Sequence, residues 1–145
     1  MTSMIYELSI VTSQKRELLD ITESIASQVE KSKIKEGTIL VFALHTTCSV
    51  ILSEVEDNLE KDIISYLETE GPKGPFKHSH VDLKAHDKLH AVKSHTPAHL
   101  MSATIGQSKV IPVSRGKLLL GTWQRICLLE LDGPRIRKVV VQILR

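Results

Sequence analysis

The chain closes on four strand-like segments rich in apolar residues, 109–113, 117–120, 125–131 and 136–144, joined only by short turns. Consecutive strands with such turns between them favour a largely antiparallel or mixed sheet, because a parallel return needs a crossover of a dozen or more residues. Ser114-Arg115-Gly116 and Asp132-Gly133-Pro134 supply turn chemistry at two of the joints. A strictly alternating strand–helix plan is therefore excluded, and no glycine-rich phosphate loop follows any strand. Upstream, residues 4–11 alternate, with Ile5, Leu8 and Ile10 marking a first strand. Residues 16–33 follow a helical period that places Leu18, Ile21, Ile25 and Val29 on one face, and Gly37 breaks it. Two buried strands are expected at 38–44 and 48–52. Ser53-Glu54-Val55-Glu56 reads as a capping box for a helix whose core face is Val55, Leu59, Ile63 and Leu67. Gly71-Pro72-Lys73-Gly74-Pro75 ends that helix, and residues 76–94 are polar and aperiodic. Thr96 can cap a last helix with Pro97 at its first position and Gly106 closing it. The order predicts an α+β fold with mixed or antiparallel sheets, and 145 residues suffice for one domain, 1–145.

Charge and composition narrow the function. Nineteen basic against 17 acidic residues leave a net charge of +2, and no block of one sign stands out. That argues against a nucleic-acid or membrane-surface role, and 3% aromatics leave few platforms for base stacking. No run approaches the ~20 apolar residues of a membrane span, and residues 1–6 do not read as a signal peptide. The two cysteines, Cys48 and Cys127, sit inside apolar runs, which excludes a disulfide framework and points to a reduced, cytoplasmic setting. A buried structural thiol is the expectation for Cys48, since a nucleophile needs exposure and a depressed pKa.

The histidines carry the main chemical signal. Six of seven fall in one stretch: His78, His80, His86, His90, His95 and His99; the seventh, His45, ends a buried strand. Neutral imidazole suits zinc and other late transition metals, so the cluster can converge on one ion. Solvated loop histidines are the competing reading, and it is the expectation for His86, His90 and His95. Glu54 and Asp57, three apart at a helix start, can hold a metal, act as general base, grip a cation or simply complement the helix dipole. Arg135 and Arg137 alternate with Ile136 and project from one strand face, toward a phosphate or toward solvent. Trp123 reads as core and Gln124 as surface.

Five motifs in this order carry a resemblance: Leu44-His45-Thr46-Thr47; Ser53-Glu54 with Asp57; Pro97-Ala98-His99-Leu100; Gly116-Lys117-Leu118-Leu119-Leu120-Gly121-Thr122-Trp123-Gln124; and Asp132-Gly133-Pro134-Arg135. The chain resembles the YjbQ-like family, also called the secondary thiamine-phosphate synthase family, over essentially its whole length. The resemblance implies an α+β homotrimer with a polar cleft near the subunit boundary. It implies His45, His99 and the histidine of Phe76-Lys77-His78 as metal ligands, with His80 the alternative to His78. Glu54, Asp57 and Gln124 match the family's catalytic set, and Arg135 is the candidate for binding phosphate. Two positions depart from the family pattern. Ser53-Glu54-Val55 stands where Asn-Glu-Asn is frequent, and His95 stands where Asn or Asp is frequent.

The activity so implied is a metal-assisted transferase that joins a pyrimidine diphosphate to a thiazole phosphate. Its leaving diphosphate needs cationic stabilisation. Histidine ligands favour zinc or another transition metal, whereas diphosphate chemistry commonly uses magnesium and oxygen ligands. Two alternatives stand beside it: a metal-dependent hydrolase of a phosphorylated small molecule, and a non-catalytic trimeric module that binds a metal or ligand.

Overall fold

The computed structural model describes residues 3–78 and 95–145. Two antiparallel sheets are stacked on one another. The larger takes β1 (Ser3–Val11), β3 (Gly37–Ala43), β5 (Ser108–Ser114), β6 (Lys117–Leu118) and β8 (Ile136–Leu144) in the order β1-β8-β3-β5-β6. The smaller takes β2 (Glu17–Asp20), β4 (Cys48–Ser53) and β7 (Arg125–Glu130) in the order β2-β7-β4. Three helices complete the described chain: α1 (Thr22–Ser32), α2 (Asp57–Glu70) and α3 (Thr96–Ile105). The α+β expectation holds, and every strand pairing among the described residues is antiparallel.

Strand alternation builds the core. Val139, Val141 and Ile143 of β8 and Val41 of β3 meet Val50, Ile126 and Leu128 of the smaller sheet, and Ile25 and Val29 of α1 join them. The other face of the smaller sheet carries Leu18, Cys127 and Leu129, covered by Ala98 and Met101 of α3. Ile63 and Leu67 of α2 lean on this outer layer, yet no residue of α2 is fully buried. None of the described helices is long and apolar enough to cross a membrane.

Five expectations are corrected. Residues 17–20 are a strand, not the start of a helix. Leu18 and Leu19 pair with Leu129 and Leu128 and divide between the two faces of the sheet. The helix begins where Asp20 accepts the backbone N–H and the hydroxyl of Thr22, at 3.0 and 2.6 Å. The 53–56 box does not cap α2. Glu56 does, accepting the N–H groups of Asn58 and Leu59 at 2.9 and 2.8 Å, so Val55 lies outside the helix and is exposed. Ile5 faces outward, because the inward residues of β1 are Met4, Tyr6, Leu8 and Ile10. Trp123 is 71% exposed rather than core. Arg137 points inward and is buried, while Ile136 takes the outer face.

Arg137 makes the most connected polar contact in the fold. Its guanidinium pairs with Glu130 through both Nε, at 2.7 Å, and Nη2, and it also donates to the carbonyl and hydroxyl of Thr47. Glu130 further accepts from the Thr12 hydroxyl and from the N–H groups of Leu131 and Asp132. Burial pushes the Glu130 carboxyl up, but Arg137 and the Asp132 N–H hold it below its ordinary value. The pair's stabilisation is thus fully present above the unfolded carboxyl range, near pH 4.3, and is lost as pH falls through the lower folded value.

Arg137→Met, which strands a buried carboxylate, is expected to cost about 3–5 kcal/mol, whereas Glu130→Gln with Arg137→Met together should cost clearly less. Urea unfolding at pH 7 and pH 4 checks both points: the wild-type advantage over the double variant should shrink at the lower pH.

A histidine cluster as candidate metal centre

The candidate centre begins with helix α3. Its buried face is pinned by Ala98 and Met101 in the outer apolar layer, and by the Ser102 hydroxyl, which donates to the Cys48 carbonyl at 2.6 Å. His95 occupies the N-cap and His99 lies four residues on, so one turn of helix brings them together. The His95 carbonyl accepts the N–H groups of Ala98 and His99, which makes this first turn rigid. His78 arrives from the segment after the Gly71–Pro75 turn, and the Thr96 hydroxyl reaches its carbonyl at 3.5 Å.

The three rings form a nearly equilateral triangle, with centroids 5.1, 5.0 and 4.9 Å apart. One ligand nitrogen of each lies within 4.8 Å of the others. The Nε2 atoms of His78 and His95 are 3.3 Å apart. Two nitrogens bound to one tetrahedral zinc at ~2.0–2.1 Å would stand about 3.3–3.4 Å apart, so the spacing suits a shared ion. His95 is buried, His99 half-buried and His78 exposed, so the triangle opens toward solvent on one side. Among the described residues the donor set is three imidazole nitrogens, which suits a late transition metal.

His45 is not part of this triangle. Its Nε2 accepts the Lys138 backbone N–H at 2.8 Å, which leaves the proton of the neutral ring on Nδ1. Burial, followed by the nearby Arg137 guanidinium, holds its pKa below the ordinary histidine value. The place expected for His45 is taken by His95, which was read as a solvated loop residue. The available signal was its i, i+4 spacing to His99 across Pro97. His80, His86 and His90 lie outside the described residues.

The other candidates are dispersed. Glu54 and Asp57 are both exposed, on the link from β4 to α2 and at the first residue of α2; neither carboxylate hydrogen-bonds within the described chain. Gln124 is exposed, and its Oε1 accepts the Gly121 N–H at 2.8 Å, which closes the Gly121–Gln124 turn. Arg135 clamps the turn before β8, with Nε on the Asp132 carbonyl and Nη2 on the Asp132 carboxylate at 2.8 and 2.9 Å. Burial pushes the Cys48 thiol up to about 11 and the Cys127 thiol up to about 12, so both are structural.

The chain and its two-sheet α+β fold match one recognised family of small proteins. The model of the UPF0047 protein YjbQ-like family matches residues 6–145, and the chain belongs to this family. A UPF0047 protein of Archaeoglobus fulgidus is 40% identical over 95% of this chain and 99% of its own. UPF0047 protein YugU of Bacillus subtilis is 31% identical over 97% and 99%. A solved YbjQ-like protein of unknown function from Sulfolobus solfataricus superposes with a TM-score of 0.82 at 35% identity, covering 98% of this chain and 96% of its own.

The His45 geometry has a pH consequence. Its folded pKa lies below the unfolded value near 6.5, so the unfolded chain binds the extra proton and stability falls as pH drops through that value. His45→Gln keeps an acceptor for the Lys138 N–H but does not titrate. Denaturation midpoints between pH 7.5 and 5 should therefore fall less steeply in this variant than in the wild type.

Proposed function

We propose that the protein is a metal-assisted enzyme acting on phosphorylated small molecules, with His78, His95 and His99 holding one divalent transition metal. The observation that carries this reading is the convergence of three imidazoles, with one ligand nitrogen of each within 4.8 Å of the others. A metal held there supplies Lewis-acid stabilisation of negative charge on a phosphate oxygen. Imidazole donors favour zinc over magnesium. The family resemblance, which implies an enzyme, favours catalysis over a non-catalytic binding module.

The specific form favoured by the family resemblance is thiamine-phosphate synthase-type transfer between a pyrimidine diphosphate and a thiazole phosphate. Gln124 supports it, because its side-chain carbonyl is occupied by Gly121 and its amide NH₂ remains to donate to a ring nitrogen. Glu54 and Asp57 are exposed carboxylates available to orient the pyrimidine or accept a proton. Arg135 can meet a phosphate only by sharing its guanidinium with Asp132. Hydrolysis of a phosphate ester is the second form, and the donor set favours it because such sites commonly activate water.

We also propose a homotrimer, working in the reducing cytoplasm that the two buried thiols suit. The outer face of the larger sheet supports self-association. Phe42 is 41%, Val110 66% and Ile5 64% exposed there, where a sheet face turned to water would alternate to polar residues. Val11 and Ile136 form an exposed apolar pair across β1 and β8 on the same face. An exposed apolar area of this kind marks an interaction surface.

Metal analysis of tag-free protein should find about one transition-metal ion per chain. His95→Ala or His99→Ala should lower affinity by more than about 100-fold, beyond the effect of losing an outer-shell partner, while His45→Gln retains the metal. Assay of the metal-loaded protein with both transferase substrates, and separately with phosphate monoesters, distinguishes the two forms; activity that survives loss of the metal would refute both. Light scattering is expected to give about three times the 16.2 kDa chain mass, and Phe42→Lys to give a smaller species.

A further inference from the structure

A groove of about 590 Å³ lies between α1 and the β5–β6 hairpin, within the size range of small-molecule sites. Its apolar lining comes from Val29, Ile34 and Leu118. Four cations, Lys33, Lys35, Arg115 and Lys117, also line it. No ion pair or side-chain hydrogen bond engages any of the four among the described residues. Glu23, on the same wall, is drawn to Arg125 at 2.9 Å, and Glu36 spends its carboxylate on the Arg115 N–H and the Ser114 hydroxyl. Glu30 is the remaining acid, so the groove is rich in unpaired positive charge over an apolar floor.

Backbone conformation adds an independent observation. Lys33, with φ of 59°, and Arg115, with φ of 53°, are the two non-glycine residues in the left-handed region among those described. Both are cations, and both line this groove. Lys33 sits at the C-cap of α1, a position that glycine fills most comfortably. Arg115 and Gly116 form the two-residue turn between Ser114 and Lys117, where both central residues need positive φ and Asn-Gly is the usual solution. At both places a long cation stands where backbone geometry alone prefers Gly or Asn. Strained conformations of this kind cluster at binding sites. The Gly116 N–H donates to the Lys35 carbonyl at 3.0 Å, so the hairpin tip is tied to the link between α1 and β3 and the cations are held around one space.

We infer that this groove is a ligand site for a small phosphate ester, with the phosphate held by the cations and an apolar body laid on Val29, Ile34 and Leu118. Four cations exceed what one carboxylate neutralises and suit a phosphate dianion. The site shares no residue with the histidine triangle, and the inference does not rest on the metal reading.

Phenyl phosphate, inorganic phosphate and benzoate serve as probes, followed by amide NMR shifts of the full chain. Phenyl phosphate should bind saturably and shift Lys35, Arg115, Gly116 and Lys117. Inorganic phosphate, lacking the apolar body, and benzoate, lacking the second charge, should each bind at least about 10-fold more weakly. Lys33→Gly with Arg115→Gly should weaken phenyl phosphate by about 10-fold or more, while the melting temperature stays level or rises, because glycine adopts both backbones freely. His95→Ala with His99→Ala should leave the groove shifts in place. The inference is overturned if no saturable shift occurs at the groove, if shifts appear only around the histidines, or if the double glycine variant binds as tightly as wild type. A lowered melting temperature with unchanged affinity would assign the two cations a structural role and likewise overturn it.

Discussion

The fold depends on one buried ion pair. Arg137 belongs to β8 of the larger sheet and Glu130 to β7 of the smaller, and neither is more than 2% exposed. Through Thr12 and Thr47 the pair also engages the end of β1 and the link from β3 to β4. Four chain segments thus converge on two side chains. Apolar contact between the sheets is non-directional and would tolerate sliding. A bidentate charge pair whose remaining donors and acceptors are met by fixed backbone groups does not, since any slip strands a charge away from water. Arg137 therefore sets how the two sheets are registered on each other, and the His45-Thr46-Thr47 link is held in place as a consequence.

That register positions the histidine triangle. The smaller sheet presents Cys48 to Ser102 and a leucine-rich outer face to Ala98 and Met101, so α3 has one seating. Its N-terminal turn then carries His95 and His99 at a spacing fixed by helix geometry, and only His78 is brought in from a separate segment. Two imidazoles on one rigid turn are the kind of preorganisation that the proposed metal site would need. His45, tied to the Lys138 amide beside Arg137, belongs to the polar framework of the sheets instead.

The surfaces divide by character. The outer face of the larger sheet exposes Ile5, Phe42 and Val110 beside the Lys138–Glu7 ion pair, the α1 groove is concave and cationic, and the histidine triangle lies beside α3. Three chemically different surfaces on a 145-residue chain are possible because each sheet has one face free of the shared core.

Much of this was legible in the residues. The terminal run of strands with short turns pointed to antiparallel pairing, and all described pairings are antiparallel, yet within the run only β5 and β6 pair, while β7 crosses to the smaller sheet and β8 returns to the larger. The Ser114-Arg115-Gly116 turn, the end of α3 at Gly106 and the inert thiols followed from local chemistry, whereas α3 starts one residue earlier than its Thr96-Pro97 signal, with His95 rather than Thr96 at the cap. Period alone misled at 17–20, because Leu18, Ile21, Ile25 and Val29 fit a helix until Leu18 and Leu19 find cross-strand partners more than 100 residues away. Arg137 looked like a surface cation, because nothing local reveals that Glu130 waits on the facing sheet. His95 was passed over for His45 for a similar reason. Which imidazoles meet is decided by where α3 is seated and by which ring nitrogen the Lys138 amide claims. The sequence by itself determined most of the elements, their antiparallel tendency and the residue types available for chemistry, since propensity, turns and spacing are local. Only the tertiary structure decided which of those residues share a site, because that depends on contacts between segments far apart in the chain.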